Sequence, residues 1–173
     1  MKKILSVILV LAICMTALVS CKKKDESIPD GMKIAENEYV TYTLYIPENW
    51  VSDISNGFTS AYANDKSNIS VSIFTWDSKY KSIEEYCESY LESIKSTYKE
   101  VSEPEKYTEN QTFGKMNAIK YVYTISLNGV VYKYMQSFSH NAGQLYIFTY
   151  TATEENYDKH TDEVKAIMEN FKA

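Results

Sequence analysis

The 173-residue chain contains no arginine, and glycine (5), proline (3), cysteine (3) and histidine (2) are scarce. Every basic side chain is a lysine, so the planar fork that grips phosphate with paired hydrogen bonds is missing. So little glycine leaves no material for a loop that wraps backbone amides round a phosphate. Neither GxSxG nor HExxH occurs. His140 and His160 have no close His or Cys partner, so no zinc spacing forms, and each reads as a lone surface histidine. Three cysteines give no disulfide framework once Cys14 and Cys21 are accounted for in the leader and at its end. Cys87 then stands alone on the apolar face of a helix, where a small inert thiol is expected.

Long apolar runs are also missing, with one exception. Ile4 to Ala17 is nearly continuous in apolar residues, but about 20 are needed to span a bilayer. Behind Lys2 and Lys3 and before small residues, such a run has the layout of a secretory signal peptide. Its end, Leu18-Val19-Ser20-Cys21, resembles the lipobox of bacterial lipoprotein precursors. That resemblance implies acylation of the Cys21 thiol with diacylglycerol, cleavage before Cys21, and palmitate-type chains holding the protein to the outer side of the cell membrane. Each buried methylene contributes about 0.8 kcal/mol, so two or three chains anchor where one would not. Lys22, Lys23 and Lys24 follow, where each cation near anionic headgroups contributes about 1 kcal/mol.

Loss of Lys2 and Lys3 with the leader takes the cations from 18 to 16 against 23 acids, a formal charge of −7. That balance argues against nucleic acid, whose binding needs clustered cations. The expected organisation is a signal peptide over residues 1–20, a lipidated flexible tether over 21–37, and one domain over 38–173. A tether of this length spans on the order of 20 Å.

Within the domain, Val40, Tyr42, Leu44 and Ile46 alternate as a half-buried strand does, ending at Pro47 with Trp50 in the turn beyond. Residues 58–63 and 69–76 repeat the pattern. Ser82 and Glu85 form a capping box at the head of an amphipathic helix carrying Ile83, Tyr86, Cys87, Tyr90, Leu91, Ile94, Tyr98 and Val101 on one face. Glu84, Glu88 and Glu92 lie on the other, as a solvated face; calcium calls instead for alternating acids on an oxygen-rich loop. A strand over 106–112 and a bend at Gly114 follow.

Residues 118–127 and 130–140 form two strands joined by Asn128-Gly129, the strongest short-range hairpin signal. A two-residue turn pairs Leu127 with Val130, Ile125 with Tyr132, Tyr123 with Tyr134 and Ile119 with Phe138, all on one face. Residues 144–152 are apolar on both faces, as in a central strand. Thr153 heads a final helix with the stripe Tyr157, Val164, Ile167, Met168 and Phe171. The fold class is therefore α+β: an antiparallel sheet of six to seven strands flanked by two amphipathic helices.

Four stretches carry a resemblance to the PsbP-like superfamily: Tyr42 to Trp50, the mid-chain helix, Gly114 to Ala118, and Tyr146 to Ala152 with its closing Met168-Glu169-Asn170-Phe171. The resemblance covers residues 38–173. It implies an α/β/α sandwich and accessory roles: one member steadies the photosynthetic oxygen-evolving complex, and a distant one binds a nuclear-transport GTPase. It supplies no catalytic residue to carry over.

The expectation for function is thus a lipid-anchored extracytoplasmic accessory protein, non-enzymatic, with no cofactor or metal, docking on an envelope or membrane protein. Sixteen tyrosines and two tryptophans leave room for a glycan or small-ligand binder that uses exposed aromatics. A cell-wall hydrolase is a third reading, with carboxylates that meet only in the fold. Facing carboxylates would favour the hydrolase, an aromatic concavity the ligand binder, and an apolar patch the docking protein.

Overall fold

The structure, a computed structural model, describes residues 27–54 and 58–173. The expected signal peptide, the lipobox Leu18, Val19, Ser20 and Cys21, and Lys22 to Lys24 lie outside the described residues.

The elements in chain order are β1 (Met32–Ile34), β2 (Tyr45–Pro47), β3 (Val51–Asp53), β4 (Thr59–Tyr62), β5 (Asn68–Thr75) and α1 (Ile83–Thr97). They continue with β6 (Glu105–Tyr107), β7 (Thr112–Phe113), β8 (Met116–Asn117), β9 (Ile119–Leu127), β10 (Val130–Asn141) and β11 (Gln144–Thr153). The chain closes with α2 (Glu154–Tyr157), a 3-10 turn (Asp158–His160) and α3 (Thr161–Glu169). Seven strands form one antiparallel sheet in the order β3-β4-β5-β11-β10-β9-β6, and β1–β2 and β7–β8 make two small pairs beside it. This is the expected α+β architecture.

The Asn128-Gly129 turn has φ of 53° and 81°, the left-handed pair that a tight hairpin matching strand twist requires. The pairing runs Leu127–Val130, Ile125–Tyr132, Tyr123–Tyr134 and Ile119–Phe138, as expected. Alternation then decides the layers. Ile119, Tyr121, Tyr123, Ile125, Phe138, Leu145 and Ile147 pack with Cys87 and Leu91 of α1. On the opposite face, Ile69, Val71, Phe148, Tyr150 and Ala152 pack against Val164 and Ile167 of α3 and against Leu44, Ile46 and Trp50. Strand β11 feeds both layers, which is why its sequence is apolar on both sides. Fully buried Phe138 and Phe148 each contribute about 1.5–3 kcal/mol of transfer free energy.

Helix α1 starts as expected, with the Glu85 amide donating to Ser82 Oγ at 3.3 Å. The return bond differs: Glu85 Oε2 accepts from the Lys81 amide at 2.7 Å. The helix stops at Tyr98, whose backbone is extended, and Val101 instead bridges to Ile125.

Other expectations need correction. Composition puts residues 21–37 in a tether, yet Met32–Ile34 pairs with β2, and Met32 and Ala35 are buried. The alternating run from Val40 to Ile46 is a strand only from Tyr45; Thr43 forms a single bridge, to Lys172. Alternation reports which side is buried, not whether a partner strand lies alongside. The strand expected over 106–112 is split into β6 and β7. Trp50 does lie in the turn beyond Pro47, its amide donating to the Pro47 carbonyl at 3.0 Å, and its side chain is fully buried. The closing helix is interrupted at Asp158–His160, and the apolar stripe survives because Tyr157 and Val164 are a full seven residues apart. Thr153 sits at the helix head without a side-chain capping bond.

Three of the four stretches that carry the family resemblance meet in space, while the mid-chain helix lies on the opposite face of the sheet. Phe171 stacks on Phe113 at 3.9 Å and contacts Tyr42 at 5.3 Å and Tyr146 at 6.1 Å between ring centroids. The Gly114 amide donates to the Met168 carbonyl at 2.8 Å.

Candidate functional site

The two helical layers are offset. Helix α1 packs over the β9–β10 side of one face, while α3 and the N-terminal segment pack over the β4–β5–β11 side of the other. Two quadrants of the sheet are therefore left open, and each holds a groove.

The first groove lies on the α1 face beyond the helix. It encloses about 450 Å³ and is lined by Asp53, Phe58, Ser60, Tyr62, Lys66, Asn68 and Ser70. Opposed strand partners share a face, so Val51 stands beside Tyr62 and Asp53 beside Ser60. Val51 and Phe58 are 46% and 43% exposed, which makes the sheet margin apolar where β3 ends the sheet.

The second groove lies on the other face, beneath α3. It encloses about 410 Å³ between β9–β10, the loop around Asn110 and the helix; Val122, Met135, Tyr157, Val164 and Met168 form its apolar lining. Its charged residues are Lys120, Asp162, Lys165 and Glu169. Both acids project from one helix and Asp53 is the single acid of the first groove, so neither groove has carboxylates on opposing walls. Inverting and retaining glycoside chemistry both need such a pair.

A third cluster joins residues far apart in sequence. His160 Nδ1 lies 2.6 Å from Glu163 Oε2, and its Nε2 lies 3.1 Å from Asp65 Oδ2. Trp50 meets the imidazole edge-on at 5.5 Å and donates from Nε1 to Glu163 at 3.2 Å. Burial opposes a charge on the imidazole, but hydrogen bonds to Glu163 and Asp65 outweigh it and hold its pKa above the ordinary range. Asp65 is held below its ordinary value: burial would raise it, and bonds from Ser67 and His160 more than compensate. With both ring nitrogens facing carboxylates, His160 pins the Asp65 turn to α3, and its protonated form donates to both. The expectation of a lone surface histidine fails here, since the side chain is only 16% exposed.

His140 is exposed and stacks on Trp76 at 4.2 Å. Tyr86 and Tyr80 lie 6.2 and 6.4 Å from that tryptophan, so these aromatics largely cover one another. Cys87 is fully buried, and desolvation pushes its thiol up to about 12; it stays protonated at neutral pH. Glu84, Glu88 and Glu92 are exposed along α1. Sequence reading gave no sign of the groove around Lys120. Nor did it connect His160 with Asp65, 95 residues away.

Among the described residues no helix is long and apolar enough to cross a membrane. Offset helical layers on the two faces of a seven-stranded antiparallel sheet define an α+β domain class. The PsbP family profile matches residues 30–173, and the chain belongs to the PsbP family.

Three solved structures share the fold. Cyanobacterial PsbP (CyanoP) from Synechocystis sp. PCC 6803 is 16% identical with a TM-score of 0.55, covering 90% of this chain and 98% of its own. LpqN of Mycobacterium tuberculosis, described as involved in cell envelope biogenesis, is 15% identical with a TM-score of 0.51, covering 76% and 82%. The Saccharomyces cerevisiae Ran-binding protein Mog1p is 10% identical with a TM-score of 0.55, covering 81% and 94%. No curated protein matches the chain.

Proposed function

We propose that the mature chain is a lipid-anchored, extracytoplasmic, non-catalytic accessory protein that docks on an envelope or membrane protein. The observation that carries this reading is the apolar margin at β3 and β4, where Val51 and Phe58 stand exposed beside an open sheet edge. A short edge strand flanked by exposed apolar side chains offers both backbone pairing and hydrophobic contact to a partner. Family membership supports a binding role, and the envelope context described for LpqN and the binding role in the name of Mog1p fit it.

The anchor is the lipobox cysteine, Cys21. Because β1 begins at Met32, only residues 22–31 separate the lipid from the fold, a reach on the order of 15–20 Å as a random coil. The β1–β2 side of the domain is then held nearest the bilayer. A second reading, binding of a glycan or small ligand, is favoured by the first groove, where Phe58 and Tyr62 combine with Ser60, Asn68 and Ser70.

Photo-crosslinking from position 51 or 58 in the native cell tests the docking reading. One envelope protein should be captured from both positions, and Ser52→Pro on the edge strand, with Val51→Lys as a second disruption, should abolish capture without loss of anchoring. If clean ectodomain hydrolysed a wall substrate, and one Asp or Glu substitution abolished that without unfolding it, the accessory reading would be wrong.

A further inference from the structure

The groove beneath α3 surrounds a lysine with partners that do not match its charge. Lys120 stands on β9 opposite Tyr107 of β6 and Ser137 of β10. Its ammonium lies 4.7 Å from the Tyr107 ring centroid, and no carboxylate among the described residues pairs with it. It is half-buried, and desolvation draws its pKa below the ordinary lysine value. Beside it the groove is lined by Val122, Met135, Val164 and Met168. Its volume of about 410 Å³ lies within the range of about 300–1,000 Å³ typical of small-molecule sites.

We propose that this groove binds a linear aliphatic monocarboxylate, with the carboxylate on Lys120 and the chain along Val122, Met135, Val164 and Met168. A partly desolvated ammonium without a counter-ion gains from an anion more than an exposed one does, because the lost hydration is replaced by a charge-assisted hydrogen bond. A single negative charge suits the site better than a phosphate dianion. One cation faces the groove unpaired, whereas Lys165 already contacts Glu169 at 3.8 Å and Asp162 stands nearby. Methionines 135 and 168 are unbranched and adaptable, which favours a flexible chain over a rigid ring system. This site is separate from the β3–β4 margin, so its failure would leave the docking proposal standing.

Calorimetric titration of the chain from residue 21 onward, which contains every described residue, with sodium octanoate and sodium decanoate is the test. Saturable one-to-one binding is expected, tightening roughly fourfold for each added methylene. Decanol and decyltrimethylammonium should bind at least tenfold more weakly than decanoate. Lys120→Gln should weaken decanoate at least tenfold with an unchanged melting temperature, whereas Lys165→Gln should leave it within twofold. Should Lys120→Gln fold poorly, amide shifts of the unaltered chain decide instead: decanoate must perturb Val122, Met135, Val164 and Met168 together. Absence of saturable binding, equal affinity for decanol, or shifts confined to other parts of the sheet would overturn the proposal.

Discussion

Gly114 and Phe171 are fitted to each other through their backbones: a Cβ on Gly114 would strike the Phe171 carbonyl oxygen. Gly114 also has φ of +58°, a conformation that costs any side chain. Two independent penalties therefore fall on one position, and the struck atom is backbone, which cannot swing away. Gly114→Ala should destabilise the domain by roughly 2–4 kcal/mol. Gly143 has φ of +76° but open space around it, so Gly143→Ala should cost only about 1 kcal/mol. Chemical denaturation of both variants checks this; equal losses would show that the contact with Phe171 carries no weight.

A buried polar chain ties the hairpin to the helix. Tyr123 donates to Gln136 Oε1 at 2.7 Å, and Gln136 Nε2 donates to Tyr90 at 3.0 Å and to Thr149 at 3.1 Å. Tyr123→Phe keeps the ring stacked on Tyr134 but strands the Gln136 carbonyl, at a cost of about 1–3 kcal/mol. Adding Gln136→Leu removes the stranded acceptor, so the double variant should lose less than the two single losses combined. Strict additivity in a double-mutant cycle would mean that the chain is not coupled.

The His160 pin gives the domain a pH dependence of known sign. The imidazole pKa is raised in the fold above an unfolded value of about 6.5. Its contribution is therefore fully present below that pH and is lost as pH rises through the folded-state value. Asp65 is depressed, so its contribution is present above about pH 3.9 and is lost as pH falls through its folded value. The melting temperature should decline from pH 6.5 toward pH 8.5 in the unaltered protein. His160→Gln should flatten that decline. Parallel curves for the two proteins would remove the pin from the account.

The anchor is tested by chemistry alone. On the proposed lipobox reading, lipid transfer needs the thiol of Cys21, so Cys21→Ser should leave an unlipidated precursor that no longer incorporates labelled fatty acid in the cell. Undiminished labelling would remove the lipobox reading, whatever the domain does.

Legibility in the sequence followed the range of each interaction. The hairpin was readable to the residue because Asn128 and Gly129 sit between alternating runs, and a two-residue turn leaves no freedom of register. The start of α1 was readable from Ser82 and Glu85 for the same reason. The Asp65–His160 contact was not, since nothing local to either residue refers to the other. The break at Asp158–His160 was hidden too, with no glycine or proline to mark it. β1 was missed because Met32 and Ala35 sit among charges, and their burial depends wholly on β2 being laid alongside.

The chain's sequence by itself determined the β9–β10 hairpin, the start of α1 and which side of the main strands and helices is apolar, because strand alternation and helix periodicity are properties of neighbouring residues. The resemblance of Leu18-Val19-Ser20-Cys21 to a lipobox is equally local, a matter of four consecutive residues. Only the tertiary structure decided where along the sheet each helix lies. A two-residue period names a face but not a lateral position, and that position is settled by how side chains from distant stretches fit together, as Phe171 does with Phe113, Tyr42 and Tyr146. The offset of the two layers follows from that fit, and with it the two open quadrants: one with Val51 and Phe58 at its margin, the other with Lys120 unpaired among apolar side chains.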